Sequence, residues 1–339
     1  MMRLPWFDYR APRSVDEAAR ILAGEGRDAM LIAGGTDLLP NMKRRQQMPR
    51  TLVSLRHIET MKRATNGSGL TLGGGLTLTE LTRLDAVRER YRGLWQAASQ
   101  VATVHLRNMG TLGGNLCLDT RCSYYNQNYE WRKAIDFCLK KDGEICWVAT
   151  ASKRCVAVSS TDCAPVLIAL GAKVRLRSVA GEREMSLEDL YRNDGIDYLA
   201  RQPDEILTEV VLPDGGSWKS SYWKLRRRGA FDFPVLGVAA AVKTARDGTV
   251  QEARIALGAV SSRPFLTRAG DHLAGKILTD EVIAEAGGIV ASRAKPMDNA
   301  DFDVYWRKHV VSEFVAYALR EVRGDDVRDA RHRIARQAI

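Results

Sequence analysis

Several features are missing from this sequence. It has no apolar run long enough to cross a membrane, and residues 1–12 lack the hydrophobic stretch of a secretory signal. A cytoplasmic protein that makes no use of membranes is the expectation. None of the six cysteines forms a Cys-x-x-Cys pair, the close spacing by which zinc usually gathers its ligands. In a reducing compartment the same cysteines are poor candidates for disulfides, which leaves ligand or core roles. The excess of positive charge, +10, has no focus. Lys43-Arg44-Arg45, Arg226-Arg227-Arg228 and the segment 328–336 are short clusters, without interleaved aromatic residues or a helix-turn-helix pattern. That distribution reads as solvated surface and not as a nucleic-acid site, although an acidic protein partner could use it.

What is present is a chain of 339 residues, 45% hydrophobic, enough for two or three domains with a substantial core. Ser14-Val-Asp-Glu17 reads as a capping box opening a helix that stops at Gly24. The apolar run 30–33 is a buried strand that leads into Gly34, Gly35, Thr36 and Asp37, and a helical turn follows over 38–42. A strand, a glycine turn and a helix start make a phosphate-binding arrangement, because glycine lets the backbone approach an anion and successive amides can point at it. Strands are expected over 51–55 and 70–72, and helices over 79–91 and 94–104.

A second glycine turn, Thr111-Leu112-Gly113-Gly114-Asn115, has the composition to hold the other side of the same phosphate group. Neither turn is a G-x-G-x-x-G or a G-x-x-x-x-G-K-S/T motif, which argues against a Rossmann site and a nucleotide triphosphatase. A tight structural turn is the plainer alternative for each alone. All six cysteines then fall within 117–163, in a polar and aromatic segment with no sustained periodicity. Such a segment needs a staple, and ligation energy can act as folding energy. Cys122, Cys138, Cys146 and Cys155 can surround a cubane cluster, leaving Cys117 and Cys163 at strand ends; free cysteines in an irregular loop are the alternative.

Beyond them a strand is expected over 156–160, pairing near Leu116. An apolar helix over 164–170 follows, with Asp162 as its cap, then a strand over 173–177, a short helix opened by 186–189 and a strand over 205–212. Composition changes at Asp214-Gly-Gly216, where a domain boundary is placed. Strands over 222–225, 235–244 and 250–260 and helices over 265–275, 279–292 and 303–322 suggest a sheet covered by helices on one face. The end, 324–339, is charged and shows no apolar stripe. The division expected is 1–60, 61–215 with an insertion at about 117–158, 216–323, and a tail.

With these residues in view, the chain resembles the FAD-binding subunit of the molybdenum hydroxylase family, which includes xanthine dehydrogenase and carbon monoxide dehydrogenase. The resemblance runs over 4–322 and rests on Leu31-Ile32-Ala33-Gly34-Gly35-Thr36-Asp37-Leu38, on 111–115, on Ser160-Thr-Asp-Cys-Ala-Pro-Val-Leu167, on Asp204-Glu-Ile-Leu207 and on Tyr222-Trp-Lys224. It implies an α+β chain: a two-subdomain FAD-binding fold of the PCMH/vanillyl-alcohol-oxidase type, then a C-terminal antiparallel sheet with helices. By the same resemblance, backbone amides of 33–38 and 111–115 hold the FAD pyrophosphate, and Asp162 binds the ribityl chain or steadies the loop that does. Leu207 packs on the flavin or is plain core. Lys224 lies near the isoalloxazine edge, where its charge would favour reduced flavin, or is an exposed strand residue.

The cysteine segment is an insertion relative to most of that family and resembles the one in the β subunit of 4-hydroxybenzoyl-CoA reductase, which holds a 4Fe-4S cluster on four such cysteines. This implies electron transfer from ferredoxin through 4Fe-4S and FAD to 2Fe-2S and molybdopterin subunits of one complex, a dimer of heterotrimers, for anaerobic aromatic degradation. An oxidising molybdenum hydroxylase acting on a purine, aldehyde or aromatic substrate and passing electrons to NAD or ferredoxin is the alternative. A non-catalytic, metal-bearing nucleic-acid-binding protein is the alternative of another class.

Overall fold

The computed structural model describes residues 3–229 and 231–335. Its first lobe is a three-stranded parallel sheet in the spatial order Asp8–Arg10, Thr51–Ser54, Ala29–Ile32. Helix Val15–Glu25 covers it, burying Ala18, Ala19 and Leu22 in a core shared with Val53 and Ile58. Its cap differs from the expected box in one half. Ser14 Oγ accepts from the Glu17 amide, but the Glu17 carboxylate accepts from the amide of Arg13, and the helix ends at Gly26 and not at Gly24.

The second lobe is a five-stranded antiparallel sheet in the order Ala64–Asn66, Leu70–Gly73, Ile206–Leu212, Lys173–Ser178, Gly181–Ser186. The last of these strands gave no apolar signal because its residues lie at the sheet edge; Glu184 instead pairs with Lys173 and Arg175 across the ladder. The helix expected over 79–91 is two, Leu78–Arg83 and Asp85–Arg90, broken where Leu84 is extended. The next is shorter than expected, Arg92–Ser99, with a separate turn at Val104–Arg107 beyond Ala102, whose φ is 45°.

The third sheet runs Phe265–Leu266, Val250–Gly258, Leu236–Thr244, Trp218–Leu225, all antiparallel. Both faces are covered, which explains why Leu236–Thr244 is an almost unbroken apolar run. Val238, Ala240 and Val242 join the core under helices Asp280–Arg293 and Val304–Arg323, while Ala239 and Ala241 join the core of the second lobe with the wholly buried helix Cys163–Ala169. The expected helix over 265–275 reduces to Ala269–Leu273 after the short edge strand.

The charged tail has an apolar face after all. Helix Arg328–Ala335 places Ala330 and Ile334 against the C-terminal core beside Val327, which precedes it, and Arg331 binds Glu321 and lies 4.2 Å over the Trp223 ring. Residues 336–339 lie outside the described part. No described helix is long and apolar enough to cross a membrane.

Candidate functional site

Between the first two lobes lies a cleft of about 860 Å³, within the range of cofactor and ligand sites. Leu31, Ile32, Ala33, Gly34, Gly35, Thr36, Asp37 and Leu38 all line it, as do Thr111, Gly113, Gly114, Asn115, Asp162 and Leu207. Leu112 does not: its side chain is fully buried in the core of the second lobe.

The two turns contribute differently. In the first, the amides of Gly34, Gly35 and Thr36 have no acceptor among the described residues, so these donors are available to an anion. Gly35 has φ 69°, which a side chain rarely tolerates. Gly34 serves contact between the turns, since a Cβ there would lie 1.9 Å from the carbonyl oxygen of Met109. In the second turn four of the five amides already have acceptors within the chain. Leu112 donates to Leu76 O and Gly113 to Gly74 O, both at 2.8 Å, Gly114 donates to Thr111 Oγ1 at 3.0 Å, and Asn115 to Thr111 O at 2.9 Å. Thr111 caps a single helical turn, Leu112–Leu116, and the side chain of Asn115 accepts from Thr161 Oγ1 at 2.8 Å.

Asp162 makes no side-chain cap to the helix that follows it; Thr161 Oγ1 takes that place by accepting from the Ala164 amide. Its carboxylate instead accepts from Tyr222 Oη at 2.8 Å and Lys224 Nζ at 3.0 Å. Lys224, neither an exposed strand residue nor part of the cleft wall, is fully buried behind Asp162 and also donates to Gln100 O at 3.1 Å. Burial pushes the Asp162 carboxyl up and the Lys224 ammonium down, while their mutual attraction opposes both shifts.

Two polar residues of the cleft wall escaped sequence reasoning, Arg121 and Asp119. Arg121 pairs with Asp37, and Asn41 Nδ2 donates to the same Asp37 carboxylate at 3.0 Å. Asp119 is 5% exposed and accepts from Lys140 Nζ at 2.7 Å, the Thr120 amide at 2.8 Å, and Tyr125 Oη and Gln47 Nε2, each at 3.2 Å. The available signal was their position directly after the second glycine turn.

The insertion has little regular structure: one helix, Tyr129–Ala134, and three non-glycine residues at positive φ, Asp136, Phe137 and Asp142. Its strand expected over 156–160 is a single bridge, Val158 to Arg121. All three parts of the molecule hold it. Gln46 Nε2 donates to Tyr125 O, Arg132 donates to Arg44 O, the Gly195 amide donates to Cys155 O, and Asn299 Nδ2 donates to Val156 O.

Cys122, Cys138, Cys146 and Cys155 line one small void of about 10 Å³, and all six cysteines are free thiols. Among the described residues no group of three or more His, Cys, Asp or Glu side chains converges on one ion position. Four thiols lining a common void are the donor set that a cubane cluster takes. Burial pushes the Cys122 thiol up to about 11; it also raises Cys155, against which the Lys140 charge acts. Ligation would supply the deprotonation that burial resists. Cys117 lines the flavin cleft and Cys163 begins a buried helix, so both stand apart from the four.

Residues 5–215 match the FAD binding domain in molybdopterin dehydrogenase, and residues 220–322 the CO dehydrogenase flavoprotein C-terminal domain. The chain is 31% identical, over 78% of its length and 85% of the relative's, to the aldehyde oxidoreductase FAD-binding subunit PaoB of Escherichia coli. It is 28% identical, over 90% and 92%, to the nicotinate dehydrogenase FAD-subunit of Eubacterium barkeri. Among solved structures, a carbon monoxide dehydrogenase from Hydrogenophaga pseudoflava that lacks the Mo-pyranopterin moiety superposes with a TM-score of 0.77 at 25% identity, covering 94% of this chain and 98% of that one. The free amides of the first glycine turn, the cleft they face and the match over both segments agree: the chain belongs to the family of FAD-binding subunits of molybdopterin dehydrogenases.

Proposed function

We propose that the chain is the flavin and iron-sulfur electron-transfer subunit of a molybdenum-containing 4-hydroxybenzoyl-CoA reductase. It would stand between a ferredoxin donor and partner subunits that carry 2Fe-2S centres and molybdopterin, in a dimer of heterotrimers. The amides of Gly34, Gly35 and Thr36 would meet the FAD pyrophosphate, Asp162 the ribityl chain, and Leu207 the ring system. Cys122, Cys138, Cys146 and Cys155 would hold the 4Fe-4S cluster. Flavin exchanges electrons singly or in pairs, which suits a place between one-electron centres and a two-electron site.

One observation carries the reductive reading: the four thiols of the insertion line one void beside the flavin cleft. A second reading has its own support. The relatives named above are a nicotinate dehydrogenase and an aldehyde oxidoreductase, which favours an oxidising hydroxylase with NAD or ferredoxin as acceptor.

The test is anaerobic purification with FAD, iron, sulfide and zinc measured on one sample. One FAD with about four irons and four sulfides per chain supports the cluster-bearing subunit. FAD without iron leaves a flavin subunit with a structural loop, and zinc without flavin would overturn the reading. Turnover of the complex purified with its partner subunits separates the two directions: reduction of 4-hydroxybenzoyl-CoA by a low-potential donor supports the first, and NAD reduction by an oxidisable aldehyde or heteroaromatic substrate the second.

A further inference from the structure

The wall between the cysteine void and the flavin cleft contains a buried charge on each side. Lys140 lines the void with the four cysteines, and Asp119 lines the cleft. Both side chains are 6% exposed and their charged atoms are 2.7 Å apart. Neither can turn away. Lys140 Nζ spends its three donors on Asp119 Oδ1, Thr120 Oγ1 at 2.5 Å and Gly195 O at 2.6 Å, with the Tyr125 and Tyr198 rings 4.7 and 5.4 Å away. Asp119 accepts on both oxygens, from Lys140 and the Thr120 amide on one and from Tyr125 and Gln47 on the other. A buried ion pair adds little stability over apolar residues of the same volume, so packing alone does not account for it.

We infer that Lys140 and Asp119 form a fixed dipole between two redox sites, its positive end raising the reduction potential of a cluster on the four cysteines and its negative end lowering that of the flavin. The inference rests on the four-cysteine reading above. A charge held at a buried position is screened less than one in water, and net charge nearby is one of the factors that set the potentials of iron-sulfur centres and flavins. Lys140 and Asp119 are thus positioning residues that act on the two centres through the field. Their effect narrows the potential step from a low-potential cluster to the flavin.

The experiment is potentiometric titration of the full chain, purified anaerobically with its FAD and iron, following the cluster by EPR and the flavin by absorbance. Lys140→Met should lower the cluster midpoint and Lys140→Arg should restore it, which a purely structural pin would not produce. Asp119→Asn leaves the cation uncompensated and should raise both midpoints. In the double variant the cluster should lie lower and the flavin higher than in the wild type. An iron-replete Lys140→Met chain with an unchanged cluster midpoint overturns the inference, as does an unchanged flavin midpoint in Asp119→Asn. If Lys140→Met loses iron, the flavin midpoint of Asp119→Asn decides. Wild-type chain holding FAD but no iron sinks the four-cysteine reading and the cluster half of the inference, and it does so before any variant is made.

Discussion

The flavin cleft is lined by two glycine turns held in close backbone contact, whereas the cysteine void beside it is lined by side chains of an irregular insertion. In the cleft, Gly34 meets Met109 and Gly113 meets Gly74 at backbone contact, between lobes whose sheets already bury their own cores. The insertion contributes thiols from loops with one short helix, and its local core is little more than Tyr125, Ala157 and the cysteines themselves. A site made of packed backbone exists before its ligand arrives. A site made of side chains on irregular loops depends on the ligand for much of its stability.

Iron removal gives the largest expected effect and bears directly on that contrast. Cys138→Ser or Cys146→Ser should take bound iron from about four per chain to near none while FAD stays stoichiometric. Limited proteolysis should then cut within 117–158 and spare the rest. Parallel loss of FAD would mean that the two sites are one cooperative unit. Iron loss in Cys117→Ser or Cys163→Ser would mean that the ligand set is different.

Next in size is Lys224→Met, which leaves the buried Asp162 carboxylate without its cation. Breaking such a pair costs about 3–5 kcal/mol, and adding Asp162→Asn should recover most of it in urea unfolding. A Lys224→Met chain of unchanged stability but altered flavin spectrum would instead put Lys224 against the ring. Gly34→Ala should cost about 1–3 kcal/mol and weaken FAD binding, because the turns must separate to admit the methyl group. Gly24→Ala is the control. Nothing lies within 4 Å of that position in helix Val15–Glu25, so a gain of about 0.5–1 kcal/mol is expected.

The parts of the site that were legible in the sequence are those whose chemistry is local. A strand, two glycines and a helix start stand side by side along the chain, so the first turn could be read from Leu31 to Leu38 without knowing its surroundings. The Asp162–Lys224 pair could not, because its partners meet only through packing of the third sheet on the buried helix Cys163–Ala169. Asp162 therefore looked like a cap. The second turn is only partly legible for a related reason: its composition suits a phosphate, but Gly74 and Leu76, from another segment, take two of its amides. The insertion offered no periodicity, and spacing alone left its four cysteines open between ligands and loop until the resemblance was added. In the tail, charge hid the face formed by Val327, Ala330 and Ile334.

The smallest predicted loss tests how the cleft holds Leu207 in place. Glu205, two residues before it, is 6% exposed and accepts from Arg183 at 2.5 and 2.8 Å and from the Gln202 amide at 2.7 Å. The Arg183 hydrogen bond holds its carboxyl below the ordinary glutamate value. A folded value lower than the unfolded one gives stability that is complete above the unfolded pKa of about 4.3 and lost as pH falls through the folded value. Because Arg183 is partly exposed, solvent screening limits the contribution to about 1 kcal/mol. Glu205→Gln should lose that amount at neutral pH and flatten the stability curve below about pH 4.3, so that variant and wild type converge in acid. Parallel curves through the acid range would show that the carboxylate charge contributes nothing, leaving the backbone pairing of Ile206–Leu212 and the packing of Leu207 in the second lobe's core to support that wall.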